Sequence, residues 1–217
     1  MIDLKRCRLY GILDLGYVQP AEALAMAERL LAGGVDILQL RAKRQSAAEI
    51  AELAERLHSL TRAAGVPLII NDYPEIARAI GAEGVHVGQD DLSLAAVRAV
   101  MGREGVVGRS THSLAQARTA VAEGADYIGF GPLFATPTKP DYAAIGLDEI
   151  AAVHAAVSVP IFCIGGIKLE NLPGVIAAGA RRVVIVSGLL QAPDVAEYAR
   201  SAKALLHPDP SPPRQQE

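Results

Sequence analysis

Short runs rich in Val, Ile and Leu alternate along this chain with longer Ala-, Leu-, Glu- and Arg-rich stretches at helical spacing, and the alternation recurs about eight times. Runs apolar at every position suit strands buried on both faces, and parallel strands need helical crossovers between them. The pattern predicts strands at 9–13, 35–40, 68–71, 84–87, 106–108, 127–129, 161–164 and 183–186. It predicts helices at 21–32, 47–64, 74–80, 94–101, 114–123, 147–156, 169–178 and 194–206. Gly33-Gly34-Val35-Asp36, Gly81-Ala82-Glu83-Gly84, Gly124-Ala125-Asp126 and Gly179-Ala180-Arg181 each fall between a helix and a strand, where glycine ends a helix in a left-handed turn. Units of this kind, repeated so often, close most economically into a single-domain (β/α)8 TIM barrel. An open doubly wound sheet is the alternative, but no GxGxxG follows the first strand, where a dinucleotide-binding sheet needs one.

Composition narrows the function classes. The 217 residues are 51% hydrophobic, enough for one large core, and residues 1–206 are expected to form it. The stretch 207–217, with Pro208-Asp209-Pro210-Ser211-Pro212-Pro213, is expected to be a disordered tail. A net charge of −3, no Trp and no block of like charge leave no footprint for nucleic acid. The start, Met1 to Arg6, lacks a signal-peptide apolar stretch, and later apolar runs are broken short of a membrane span, so a cytoplasmic protein is expected. Cys7 and Cys163 form no CxxC pair, and both are expected to be reduced. Homo-oligomerisation is left open.

Barrel chemistry collects on the loops that follow the strands. Several polar clusters fall there: Gln39-Leu40-Arg41-Ala42-Lys43, Asn71-Asp72, Asp90-Asp91, Thr136-Pro137-Thr138-Lys139, Gly165-Gly166 and Ser187-Gly188. Arg41 and Lys43, two apart, share a face and can aim two cations at one anion. Two hydroxyls and an ammonium in Thr136 to Lys139 also suit an anion. The glycines of the last two loops offer backbone N–H groups beside helix starts, where such barrels hold phosphate. Asp72 and Asp91, about one βα unit apart, describe a Mg2+ site with room for a substrate's phosphates, unless Asp91 is only a helix N-cap. His86 is expected to point into the barrel as a hydrogen-bonded structural histidine, and His112 lies beside a helix start. No GxSxG is present, so assisted departure of a leaving group is favoured over covalent catalysis.

As a set, these motifs resemble thiamine phosphate synthase, over nearly the whole chain from Arg8 to about Leu206. They include His86-Val87-Gly88-Gln89-Asp90-Asp91, Gly108-Arg109-Ser110-Thr111-His112, Gly131 through Lys139 and Val186-Ser187-Gly188. The resemblance implies that Gln39, Arg41, Lys43 and Asn71 contact a pyrimidine diphosphate whose Mg2+ is held by Asp72 and Asp91. Ser110 would lie near the pyrimidine and Lys139 on the pyrophosphate, making Arg41, Lys43, Ser110 and Lys139 the catalytic set. Thr136, Thr138, Gly166, Val186 and Ser187 would face a thiazole phosphate. The implied reaction expels pyrophosphate and captures the pyrimidine fragment on the thiazole nitrogen. Arg109 departs from the pattern, since the related thiazole tautomerase often has Gly-Arg-Ser followed by His, and His112 could match its histidine. That relative typically lacks the metal carboxylates and the full Thr-x-Thr-Lys loop, all present here. The remaining rival is a non-catalytic barrel that senses a thiamine precursor. The segment Pro140-Asp141-Tyr142 is a candidate lid.

Overall fold

Eight parallel strands pair in chain order and close into a barrel: β1 (Leu9–Asp14), β2 (Ile37–Arg41), β3 (Leu68–Asn71), β4 (Gly84–Val87), β5 (Val106–Thr111), β6 (Tyr127–Phe130), β7 (Ile161–Cys163) and β8 (Val183–Ile185). The structure is a computed structural model that describes residues 3–136 and 143–206. The expected tail and lid therefore lie outside the described residues. The helices are α1 (Ala23–Ala32), α2 (Ala47–Ala63), α3 (Pro74–Ile80), α4 (Leu94–Met101), α5 (Leu114–Ala122), α6 (Ile150–Ala156), α7 (Leu172–Ala177), α8 (Ser187–Leu190) and α9 (Val195–Leu206). None is long and apolar enough to cross a membrane.

Every expected strand is present; β3 and β4 have the expected ends, and the other six are shifted at one end or both. β2 starts at Ile37 rather than Val35, because the Gly34 and Val35 N–H groups close the end of α1 by donating to the Leu31 and Leu30 carbonyls. β5 runs on to Thr111, which places Ser110 on a strand rather than a loop. α7 starts at Leu172, with Pro173 in its first turn where no N–H partner is needed. The left-handed helix ends fall where glycine predicted them, at Gly34, Gly81, Gly124 and Gly179, with φ between 72° and 106°. The acids beside those glycines stitch the lower face. Asp36 Oδ2 accepts the Arg8 and Leu9 N–H groups at 2.8 and 2.9 Å, Glu83 accepts that of Leu68 at 2.8 Å, and Asp126 that of Val107 at 2.7 Å.

Period-two alternation sorts each strand. Leu9, Leu38, Ile70, Val107, Ile128, Cys163 and Ile185 face the helices in one apolar cluster, and Tyr10, Ile37, Ile69, Val106, Tyr127, Phe162 and Val184 fill the barrel as another. Phe162 meets Tyr10 and Tyr127 edge-on, with centroids 5.4 and 5.6 Å apart. Room for these rings comes from Gly108, whose added Cβ would lie 2.1 Å from Tyr127 Cζ. One layer higher, the inward positions turn polar: Asp14, Gln39, Arg41, Asn71, His86 and Ser110.

Candidate active site

The upper mouth gathers most of the expected residues. Gln39, Arg41, Asn71, Ser110, Thr136, Gly166, Val186 and Ser187 line one cleft, joined by His86 and His112. Thr138 and Lys139 lie outside the described residues. The two cations do not share one face toward an anion as expected. Arg41 ends β2 and turns to β1, its Nη1 2.6 Å from Oδ2 of Asp14, whereas Lys43 lies past the strand and pairs with Asp72 of the β3 end. The reason is the barrel register, which sets Asp14 directly opposite Arg41.

Asp72 and Asp91 approach within hydrogen-bonding reach, so the carboxylates from consecutive strand ends meet. Burial raises the Asp72 pKa from its ordinary value; Lys43 opposes that shift and Asp91 adds to it. Asp72 itself has a φ of 65°, a left-handed conformation tolerated by aspartate that holds it at the rim, and its N–H donates to the His86 carbonyl at 2.9 Å. Asp91 Oδ2 accepts the Gly88 N–H at 2.7 Å. Neither carboxylate caps a helix, since Ser93 caps α4 and Tyr73 occupies the cap position of α3. Among the described residues no three acidic, His or Cys side chains form a cage. Two oxygen donors that repel one another, with other positions left to water or phosphate, fit the way Mg2+ is held beside phosphorylated substrates.

Beside these charged groups the cleft carries a neutral hydrogen-bonded chain. Gln39, 2% exposed, donates from Nε2 to the Tyr10 hydroxyl at 2.7 Å, Tyr10 and Tyr127 hydroxyls lie 3.0 Å apart, Tyr127 reaches His86 Nδ1 at 3.1 Å, and His86 Nε2 reaches Ser110 Oγ at 2.9 Å. His86 does point inward and is hydrogen-bonded, as expected, but the chain it joins opens at both ends into the cleft.

After β7 the backbone passes through Gly165 and Gly166 at φ 100° and 64°. A Cβ on Gly166 would sit 2.7 Å from Phe134 Cβ, and one on Gly165 2.4 Å from Pro132 Cα, so the β7 loop packs directly against the segment leading to Thr136. Asn171 Nδ2 holds the Gly166 carbonyl at 2.9 Å. Past β8, the unexpected helix α8 begins at Ser187; its Leu189 and Leu190 N–H groups donate to the Val186 carbonyl at 3.1 and 3.0 Å, and the Ser187 and Gly188 N–H groups stand ahead of them at the helix start. These two loops form a backbone cradle suited to a phosphate.

The sequence profile of the family described as thiamine monophosphate synthase matches residues 9–189. The chain is 46% identical over 200 residues to the thiamine-phosphate synthase of Chloroflexus aurantiacus, covering 92% of each, and 45% identical over 185 residues to that of Thermus thermophilus, covering 85% of this chain and 89% of the other. This chain belongs to the thiamine monophosphate synthase family. A thiamine phosphate pyrophosphorylase structure from Pyrococcus furiosus superposes with a TM-score of 0.86 at 27% identity, covering 94% of this chain and 97% of the other. A 3-hexulose-6-phosphate synthase, at 20% identity and a TM-score of 0.70, shares the barrel.

For a member of the thiamine monophosphate synthase family, Arg109 then takes on a structural meaning. It points away from the cleft and is nearly buried, donating from Nη1 to the Leu92 carbonyl at 2.9 Å and from Nη2 to that of Gln89 at 3.1 Å, so it braces the loop carrying Asp91. His112 lines the cleft with Nδ1–H donating to the Gly131 carbonyl. Three functional candidates went unread in the sequence: Asp14, Tyr10 and Tyr127. Asp14 had a signal, a charge on the same alternation as Tyr10 and Ile12 at the end of an apolar run.

Proposed function

We propose that this chain is a thiamine phosphate synthase, joining 4-amino-2-methyl-5-(diphosphooxymethyl)pyrimidine to 4-methyl-5-(2-phosphooxyethyl)thiazole with release of pyrophosphate. The observation that carries the reading is that one cleft holds the Arg41–Asp14 pair and a backbone phosphate cradle, with a close carboxylate pair and Lys43 at the adjoining strand ends. The C–O bond to the diphosphate breaks with its electron pair, and the thiazole nitrogen lone pair forms the new C–N bond. Arg41 and Lys43 hold the departing oxygens, with Lys139 assigned to them by resemblance, and preorganised charge of this kind lowers the barrier without reorganisation. Asp72 and Asp91 would hold Mg2+, which when bound neutralises charge on the leaving group. Gln39 and Ser110 orient the pyrimidine, and Gly166, Val186 and Ser187 seat the thiazole phosphate. The partners are small phosphorylated molecules, and the setting is cytoplasmic.

The test is direct. Purified protein given both substrates and Mg2+ forms thiamine phosphate and pyrophosphate in equal amounts. Conversion of the thiazole alone, without metal or pyrophosphate release, would mean a tautomerase built around His112, and binding without turnover would mean a sensor.

A further inference from the structure

We propose that the buried chain Gln39, Tyr10, Tyr127, His86 and Ser110 couples the hydrogen-bonding polarity of its two ends, making Tyr10 and Tyr127 positioning residues that select an amino-substituted heteroaromatic ring. Four consecutive contacts of 2.7, 3.0, 3.1 and 2.9 Å join the five groups across the barrel. Both tyrosines are 1% exposed, and burial raises their pKa values well above the ordinary phenol range, so each keeps its single proton. Each hydroxyl has one proton to give, and a neutral imidazole donates from one nitrogen and accepts at the other.

Those counts leave two coherent arrangements. With Gln39 Nε2 donating to Tyr10, as found, Tyr10 donates to Tyr127, Tyr127 to His86 Nδ1, and His86 Nε2–H to Ser110. The cleft then receives an acceptor, Gln39 Oε1, and a donor, the Ser110 hydroxyl. Reversing the amide reverses every link and exchanges the two roles. A mixed arrangement leaves a buried hydroxyl without an acceptor, or two donors facing, which burial makes costly. The ends are thus always opposite in sense, though they belong to strands on different sides of the barrel. The arrangement found matches an aromatic edge bearing an amino donor beside a ring-nitrogen acceptor; an oxo ring requires the reversed one. This identification of the ligand rests on the synthase reading, whereas the coupling rests on the geometry alone.

The relay is tested by the His86 tautomer and by substrate discrimination. In 15N-histidine NMR of the intact protein, with the His86 signal assigned by its loss in His86→Gln, the wild type should show Nε2–H with Nδ1 accepting, and Tyr127→Phe should shift that pattern. In kinetics, Tyr127→Phe should raise KM for the pyrimidine diphosphate about tenfold, the loss of one hydrogen bond. It should lower discrimination against the 4-oxo analogue to a similar degree and leave kcat and the thiazole phosphate KM little changed. Tyr10→Phe, which leaves Tyr127 donating to His86, should weaken discrimination without moving the His86 signal, and it carries the kinetic test should Tyr127→Phe not fold. An Nδ1–H tautomer in the wild type with the amino substrate bound, or discrimination unchanged in both variants, overturns the proposal. Should the protein form no thiamine phosphate, the synthase reading falls, while the tautomer and its response to Tyr127→Phe still decide the coupling.

Discussion

Gly108→Ala is the sharpest probe of the barrel interior. Gly108 lies opposite Tyr127 in the β5–β6 register, and its Cβ would be 2.1 Å from Tyr127 Cζ, 2.4 Å from Cε1 and 2.5 Å from the hydroxyl. Restoring an ordinary contact of about 3.5 Å requires roughly 1.4 Å of ring displacement. The ring cannot yield easily, because Phe162 stands 5.6 Å away by centroid and Tyr10 6.0 Å. Overpacking of this kind costs about 1–3 kcal/mol, and pulling the hydroxyl from its place between Tyr10 and His86 adds about 1–3 kcal/mol for the groups left unpaired. A loss of about 3 kcal/mol or more is expected in urea unfolding, a large share of a typical stability of about 5–15 kcal/mol. In a Tyr127→Leu background the ring is absent, and the same alanine should cost under about 0.5 kcal/mol. A cost below about 1 kcal/mol in the wild type, or an equal cost in both backgrounds, would show that the Tyr127 ring does not depend on Gly108.

Asp91→Asn and Lys139→Ala should each lower turnover by orders of magnitude with unchanged circular dichroism, since each removes charge stabilisation from the leaving group; near-normal rates in both would remove the mechanism. Arg109→Leu should free the Gln89 to Leu92 loop and raise the Mg2+ concentration for half-maximal activity about tenfold, with the thiazole phosphate KM unmoved. Gly166→Ala, at φ 64° and 2.7 Å from Phe134 Cβ, should raise that thiazole phosphate KM while sparing the pyrimidine diphosphate KM. His154, its pKa pushed down to about 4 by burial with Arg181 and Arg182 adding, is neutral when folded, while the unfolded chain takes up a proton below about 6.5. Stability should therefore fall as pH drops from about 6.5 to 4, by about 1 kcal/mol once the full linkage is discounted for partial exposure, and His154→Gln should flatten that decline in thermal melts.

The fold was legible because a βα repeat is a local signal: apolar runs mark strands, helical spacing marks crossovers, and glycines mark the joints. Helix α8 was invisible for the same reason, four residues being too few to show a period. That strand-end residues such as Gln39, Asn71 and Ser187 line the cleft was legible from position, while their roles came from the resemblance. What they pair with was not. Arg41 reads as a bare cation until the register sets it beside Asp14, 27 residues earlier. Tyr10 and Tyr127 read as apolar filling, and their contact spans 117 residues, a separation no local pattern encodes. The departure at Arg109 read in sequence only as a pointer to the tautomerase, because its partners are carbonyl oxygens of a neighbouring loop.

The two walls of the mouth would recognise their ligands by different physics, and this bears on how the synthase reading would work. On the charged wall of the mouth, Arg41 pairs with Asp14 inside the cleft while Lys43, Asp72 and Asp91 meet at the strand ends beside it, three carboxylates to two cations among the described residues. That wall has no surplus of positive charge to draw in a diphosphate, and both cations are already engaged. A diphosphate gains there only if it arrives with a divalent cation that relieves the Asp72 and Asp91 repulsion and frees Lys43 from Asp72, and Lys139 would add to that gain. Under the synthase reading the thiazole phosphate would instead meet backbone N–H groups at Gly166 and the start of α8, donors fixed by chain geometry that need no counter-ion. Metal dependence should therefore reside in one substrate and not the other, which is the asymmetry expected when only one of two bound phosphates must depart.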